Sequence, residues 1–318
     1  MKTRMTELLG ISVPIIQGGL AHLAFANLAA AVSSAGGLGQ ITATSLASTE
    51  ELAQEIDRVR EQTDKPFAVN IAIGQHHSVE DMVDLVIDKK VSAVTLTGGN
   101  PEKTMKRLEG HPIKKLILVS TVRQAQKAES LGADAVIAVG QEGGGHIGRD
   151  DTGTIVLIPR VVDAVSIPVI ASGGIADGRG LLAALALGAE GIEMGTRFVA
   201  TKESVASDEY KARLVQGTEL DTKVIKRSIG APGRVINGEW AEHILEAETE
   251  GLTKEEFYYL ISGERNKKAV YDGDFQNGYA WAGQSVGLIQ SVLSVKELID
   301  EIVATAERFQ AHIDGMMR

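Results

Sequence analysis

IPVIASGGIADGRGLLAALALGAEGIEMGTRF, residues 167–198, reads as strand, glycine turn, helix, strand and glycine turn in one run. Pro168 to Ala171 form a short apolar strand, and Gly173-Gly174 follow it where the backbone can come close to a ligand. Asp177 is placed to cap the next helix, and the second strand ends in Met194-Gly195-Thr196. Two adjacent βα turns of this kind make a phosphate cradle, with backbone N–H groups and a helix N-terminus facing the anion. Ser172, Gly173, Gly174, Met194, Gly195 and Thr196 are its candidate residues.

Outward from this stretch the same unit repeats. "LGADAVIAVG" (131–140) matches "LGAEGIEMG" (187–195): a helix end, a Gly-Ala turn, a buried strand and a glycine. Strands are expected near 13–17, 38–43, 66–72, 92–97, 115–120, 134–139, 168–172 and 191–195. Helical patterns lie near 24–35, 49–63, 78–89, 101–109, 122–131, 152–165 and 177–187. Glycines cluster just after the strands, at Gly18-Gly19, Gly98-Gly99, Gly143-Gly144-Gly145, Gly173-Gly174 and Gly195. A closed (β/α)8 TIM barrel puts all of these on its C-terminal face, whereas a doubly wound sheet would gather them at one switch point. The expected organisation is a barrel over 1–202 and 286–318, with a helical lid insertion at 203–285. The last helix, 286–313, carries Leu288, Ile289, Val292, Leu293, Val295, Leu298, Ile299, Ile302 and Val303 at helical spacing.

Composition narrows the function. The 318 residues carry a formal charge of −10, which does not gather nucleic acid or anionic membrane. The absence of cysteine excludes disulfides, thiolate catalysis and cysteine metal sites, and fits a cytoplasmic enzyme. No apolar run approaches a membrane span, and no metal site is expected.

Together these segments resemble the nitronate monooxygenase family, formerly 2-nitropropane dioxygenases, which also holds NADH:quinone reductases and flavin-dependent enoyl-ACP reductases. "VPIIQGGLA" (13–21) is similar to the family's first flavin strand and "PFAVNI" (66–71) to its asparagine strand. "GADAVIAVGQEGGGHIGRDD" (132–151) resembles its catalytic loop, and "WAGQSVGLI" (281–289) its C-terminal motif. Inosine-monophosphate dehydrogenase has a similar phosphate segment, but its chemistry needs the cysteine this chain lacks.

The resemblance implies FMN as cofactor and His146, in "GGGHIG", as the catalytic residue. An ordinary near-neutral imidazole there would suit proton removal beside a nitro group, or donation to a reduced product. Gln17, Gly18, Gly19, Asn70, Gln141, Gly144 and Gly145 are expected around the flavin, and His22 is a further candidate for the pocket wall. The remaining histidines, at 76, 77, 111, 243 and 312, lack His146's setting. Lys226 precedes and Arg227 and Arg234 lie within "RSIGAPGRVING" (227–238), a solvated loop or a cationic flap for the pyrophosphate of NAD(P)H bound as a substrate. Nitronate oxidation stands first among the activities, with NAD(P)H:quinone reduction second. Enoyl-ACP reduction comes third, because acyl carrier protein is also acidic. The substrate is a small molecule, and the oligomeric state, a homodimer among the options, is left open.

Overall fold

The computed structural model describes residues 1–74, 78–250 and 253–317. Eight parallel strands form the barrel: β1 (Ile15–Gln17), β2 (Gly39–Thr42), β3 (Phe67–Ala72), β4 (Ala93–Thr97), β5 (Lys114–Val119), β6 (Ala135–Val139), β8 (Val169–Ser172) and β9 (Gly191–Met194). Their spatial order is β1-β9-β8-β6-β5-β4-β3-β2. A parallel bridge between Ile16 and Leu38 brings β1 back beside β2 and closes the ring. All eight expected strands are found, each within about two residues of its expected limits.

The interior is filled as strand alternation requires. Ile16, Leu38, Ala68, Ala93, Leu116, Ala135, Ile137 and Ile170 form one buried cluster. The helix Arg4–Leu9 plugs the N-terminal end, adding Met5 and Leu9 to that cluster, and Arg4 pairs with Glu190 at 2.6 Å. Fully burying an aliphatic side chain of this kind contributes roughly 1.5–3 kcal/mol.

The C-terminal helix is Val295–Met316, and it starts later than the apolar pattern suggested. Ser294 accepts from the Glu297 amide in a capping box, which fixes the start. Before that cap the chain forms a 3-10 turn, Gln284–Leu288, and then an extended segment in which Ile289 is buried and Leu293 packs on the barrel core, while Leu288 is exposed. Leu298, Ile299 and Ile302 then pack on the helix Gly178–Ala186. Contact there is close enough that a Cβ on Gly178 would lie 2.3 Å from the Ile302 carbonyl.

Residues 203–285 contain the expected helices, at Asp208–Gln216, Glu239–Thr249, Lys254–Leu260 and Gly263–Lys267. They also contain the hairpin β10 (Thr222–Ile225) and β11 (Gly233–Ile236). Strand β11 pairs antiparallel with β7 (Gly145–His146), so the 143–148 loop is the third strand of this small sheet.

Candidate active site

The glycine turns meet at the C-terminal ends of the barrel strands. Gly173 has φ +94 and Gly174 φ +74, conformations that L side chains rarely adopt. A Cβ on Gly173 would lie 3.0 Å from the Gly140 carbonyl and 3.2 Å from the amides of Gly140 and Gly143. Among the described residues the amides of Gly173, Gly174, Gly195 and Thr196 have no protein acceptor. Four unpaired donors on two neighbouring turns are what an anion at this position requires. The expected cap is present: Asp177 accepts from the amides of Arg179 and Gly180 at 2.9 and 3.2 Å.

The loop after β6 is clamped to this cradle. The Glu142 carboxylate accepts from the Thr154 amide at 2.9 Å and from its hydroxyl, which also lies 3.0 Å from the Gly173 carbonyl. Residues 282–284 close on the same loop: the Gln284 amide donates to the Glu142 carbonyl at 2.9 Å, and the Gly283 amide to Thr196 Oγ1 at 2.9 Å. Gly144 must be small, because a Cβ would lie 2.6 Å from the Gly283 nitrogen.

On the β1 side, Gly19 lies against Asn70: a Cβ there would be 2.5 Å from the carboxamide. The buried Asn70 donates only a long bond to the Thr95 carbonyl, 3.4 Å. The Gln17 side chain is spent inside the protein, donating to the Gly18 carbonyl and accepting from the Gln40 amide. Its backbone is engaged as well, the amide donating to the Leu38 carbonyl at 3.0 Å and the carbonyl accepting from Gln40 Nε2 at 2.9 Å. The Gln141 side chain donates to Asp151 at 2.5 Å.

His146 sits with residues from the 203–285 segment. Its Nε2 is 2.7 Å from Lys226 Nζ, and its ring centroid is 5.1 Å from that of Trp281. The ring is exposed at the barrel mouth, yet protein surrounds it on most sides. Desolvation and then the Lys226 ammonium push its pKa down to about 4. The near-neutral imidazole expected from sequence is therefore replaced by one that stays neutral at pH 7. Burial likewise pushes the Lys226 ammonium down to about 8, opposed by Glu248.

The cationic flap is not free. Arg227 pairs with Asp151 at 2.8 Å, while Arg234 is buried and donates to the Gln141 carbonyl at 3.0 Å and to Thr222 at 3.1 Å. The His22 carbonyl accepts from the Tyr271 hydroxyl at 2.7 Å. His76 and His77 lie outside the described residues. Arg197 is buried and donates to the Ser291 carbonyl at 3.0 Å. An open polar depression of about 440 Å³, lined by Ser34 and Arg60 to Lys65, lies at the N-terminal end of β3, away from these groups.

Sequence reading missed Glu193. It is fully buried inside the barrel wall, accepting from Ser172 Oγ at 3.1 Å and from Gln40 Nε2 at 3.5 Å. Burial raises its pKa from 4.5 to about 7, with the two hydrogen bonds opposing. A glutamate inside the apolar strand "GIEM" was the available signal. The unfolded chain loses this proton near 4.5 and the folded chain near 7, so stability from the neutral form is lost as pH rises between them. Glu193→Gln should therefore raise the melting temperature at pH 8 and hardly at pH 5, by a stability gain on the order of 2–3 kcal/mol. Thermal unfolding at the two pH values checks this, and equal shifts at both would remove the buried-carboxyl argument.

Among the described residues no group of His, Asp and Glu is arranged to hold a metal, and no helix is long and apolar enough to cross a membrane. A family model described as nitronate monooxygenase matches residues 2–83 and 73–305. A probable nitronate monooxygenase of Staphylococcus saprophyticus is 37% identical, covering 96% of this chain and 98% of its own. A (3aS,4S,5R,7aS)-5-hydroxy-7a-methyl-1-oxo-octahydro-1H-indene-4-carboxyl-CoA dehydrogenase of Rhodococcus jostii is 33% identical, over 96% of each chain. Among solved structures, FabK from Thermotoga maritima matches with a TM-score of 0.95 at 41% identity over 99% of both chains. A nitroalkane oxidase from Streptomyces ansochromogenes matches at 0.84 and 28%, over 97% of this chain and 99% of its own.

Proposed function

Since this chain belongs to the nitronate monooxygenase family and is an oxidoreductase, we propose that it carries FMN and oxidises small alkyl nitronates with dioxygen. The observation that carries the reading is the set of four unpaired backbone amides on the turns after β8 and β9, clamped to the loop that bears His146. These turns fit a phosphate: the donors are backbone groups, and Gly173 and Gly174 hold φ values that a side chain would strain.

In this reading Gly173, Gly174, Gly195 and Thr196 hold the FMN phosphate, with Ser172 and Met194 shaping the turn. Gly18, Gly19 and Asn70 meet the flavin from β1 and β3, and Gly144 and Gly145 approach it from the His146 loop. Gln141 contributes its place in that loop rather than its carboxamide. FMN would take electrons from the substrate and pass them to dioxygen. A neutral His146 would face the substrate, with Lys226 supplying positive charge that favours an anion. Residues 203–285, which contribute β10, β11 and Trp281, act as the lid.

A second reading, NAD(P)H-linked reduction of a quinone or an enoyl thioester, is favoured by the likeness to a dehydrogenase named for a coenzyme A ester and by the higher score for FabK. Against it, Arg227 and Arg234 are already engaged. Oxygen uptake by the FMN-loaded protein with propyl-2-nitronate, beside anaerobic mixing with NADH, separates the two. Fast uptake without bleaching by NADH supports the first. Bleaching by NADH without uptake supports the second.

A further inference from the structure

Lys226 and His146 stand eighty residues apart in sequence and meet through side-chain nitrogens 2.7 Å apart. A charged lysine has donors and no lone pair, so this contact needs the lone pair of His146 Nε2. The ring proton then sits on Nδ1. An imidazolium would put two cations in contact, so the pair holds together only with His146 neutral. Among the described residues the Nδ1–H has no protein acceptor.

The backbone is shaped to deliver the lysine. Lys226 has φ +65, a left-handed conformation that costs a non-glycine residue about 1–2 kcal/mol. Its amide donates to Glu248 Oε2 at 3.0 Å, while the Ser228 amide and hydroxyl reach Glu248 Oε1 at 2.9 and 2.8 Å. Its carbonyl accepts from the Ala231 amide at 3.2 Å, which closes the turn. Nζ then lies 4.8 Å from the centre of the Trp281 ring, a cation–π contact on one side with His146 on the other. Glu248 and His146 are the titratable groups that act on Lys226, and Arg227 is turned to Asp151.

We propose that Lys226 is a positioning residue whose ammonium caps Nε2 of His146, so that the imidazole meets the substrate as an Nδ1–H donor and not as a base. The inference deepens the proposed function and shares its premise that His146 faces the substrate.

Nitrogen-15 NMR of the imidazole rings in full-length, FMN-loaded protein tests the pair directly, with His146→Asn used to assign the signal. The wild type should show a single neutral Nδ1–H tautomer at pH 7 that resists protonation at pH 6. Lys226→Met keeps the stem over Trp281 but removes the donor, and His146 should then titrate at higher pH and lose its fixed tautomer. Lys226→Arg should keep both. Should Lys226→Met fail to fold, Lys226→Gln is measured in the same way. With nitronate, Lys226→Met should lower kcat about 10-fold or more with little change in KM, the direction expected when a histidine loses its correct tautomer. Lys226→Arg should recover most of that loss. A wild-type Nε2–H tautomer, or an unchanged His146 spectrum in Lys226→Met, overturns the proposal. Because the NMR arm reads the pair without turnover, failure of nitronate oxidation would be told apart from failure of this inference.

Discussion

Gly173→Val is expected to give a folded barrel that no longer retains FMN. Gly173 holds φ +94, and a β-branched residue there is a true steric outlier. The added Cβ would also sit 3.0 Å from the Gly140 carbonyl, against backbone that cannot swing aside as a flexible side chain would. The turn must move, and the Gly173 and Gly174 amides move with it. A loss of roughly 10²-fold in FMN affinity corresponds to about 2.7 kcal/mol, the scale of displacing two charge-assisted hydrogen bonds. Gly132→Ala is the control: it has φ +81 but nothing within 4 Å of its Cβ, so it carries backbone strain away from the cradle. The flavin-to-protein absorbance ratio after gel filtration, with circular dichroism of both variants, decides the matter. Full flavin retention in a folded Gly173→Val protein would remove the cradle from the account.

His146→Ala is expected to keep its FMN and lose turnover by about 10²–10⁴-fold, the range for removing an acid–base group or a donor to developing negative charge. The cradle amides and the Glu142–Thr154 clamp do not involve the imidazole, so the flavin content should match the wild type. Steady-state oxygen uptake with nitronate, normalised to bound flavin, is the measurement. Turnover within a factor of two of wild type would return His146 to a packing role against Trp281.

The barrel was legible because most of its strands are short apolar runs followed by glycine, and that pattern is local. The cradle was legible for the same reason: Gly173-Gly174 and Gly195 announce close backbone approach within single βα units. What escaped depends on distance along the chain. Strand β7 is two residues long and exists only because Gly233 and Arg234 pair with Gly145 and His146. No periodicity in "GGGHIG" signals that partner. Lys226 and Arg234 looked alike as lid cations, yet one reaches His146 and the other is buried against the Gln141 carbonyl. The hydrogen bond from Gln141 to Asp151, ten residues on, is likewise set by the fold of the loop between them. The start of the last helix was misplaced because Ile289 and Leu293 pack from a non-helical segment while Ser294 sets the cap.

The central claim is that this barrel is a flavin enzyme, and the absorption spectrum of the purified protein, before and after anaerobic addition of propyl-2-nitronate, tests it most directly. The account predicts a yellow protein with the bands of oxidised FMN near one flavin per chain, which nitronate bleaches and air restores. A colourless protein that fails to take up added FMN would contradict it.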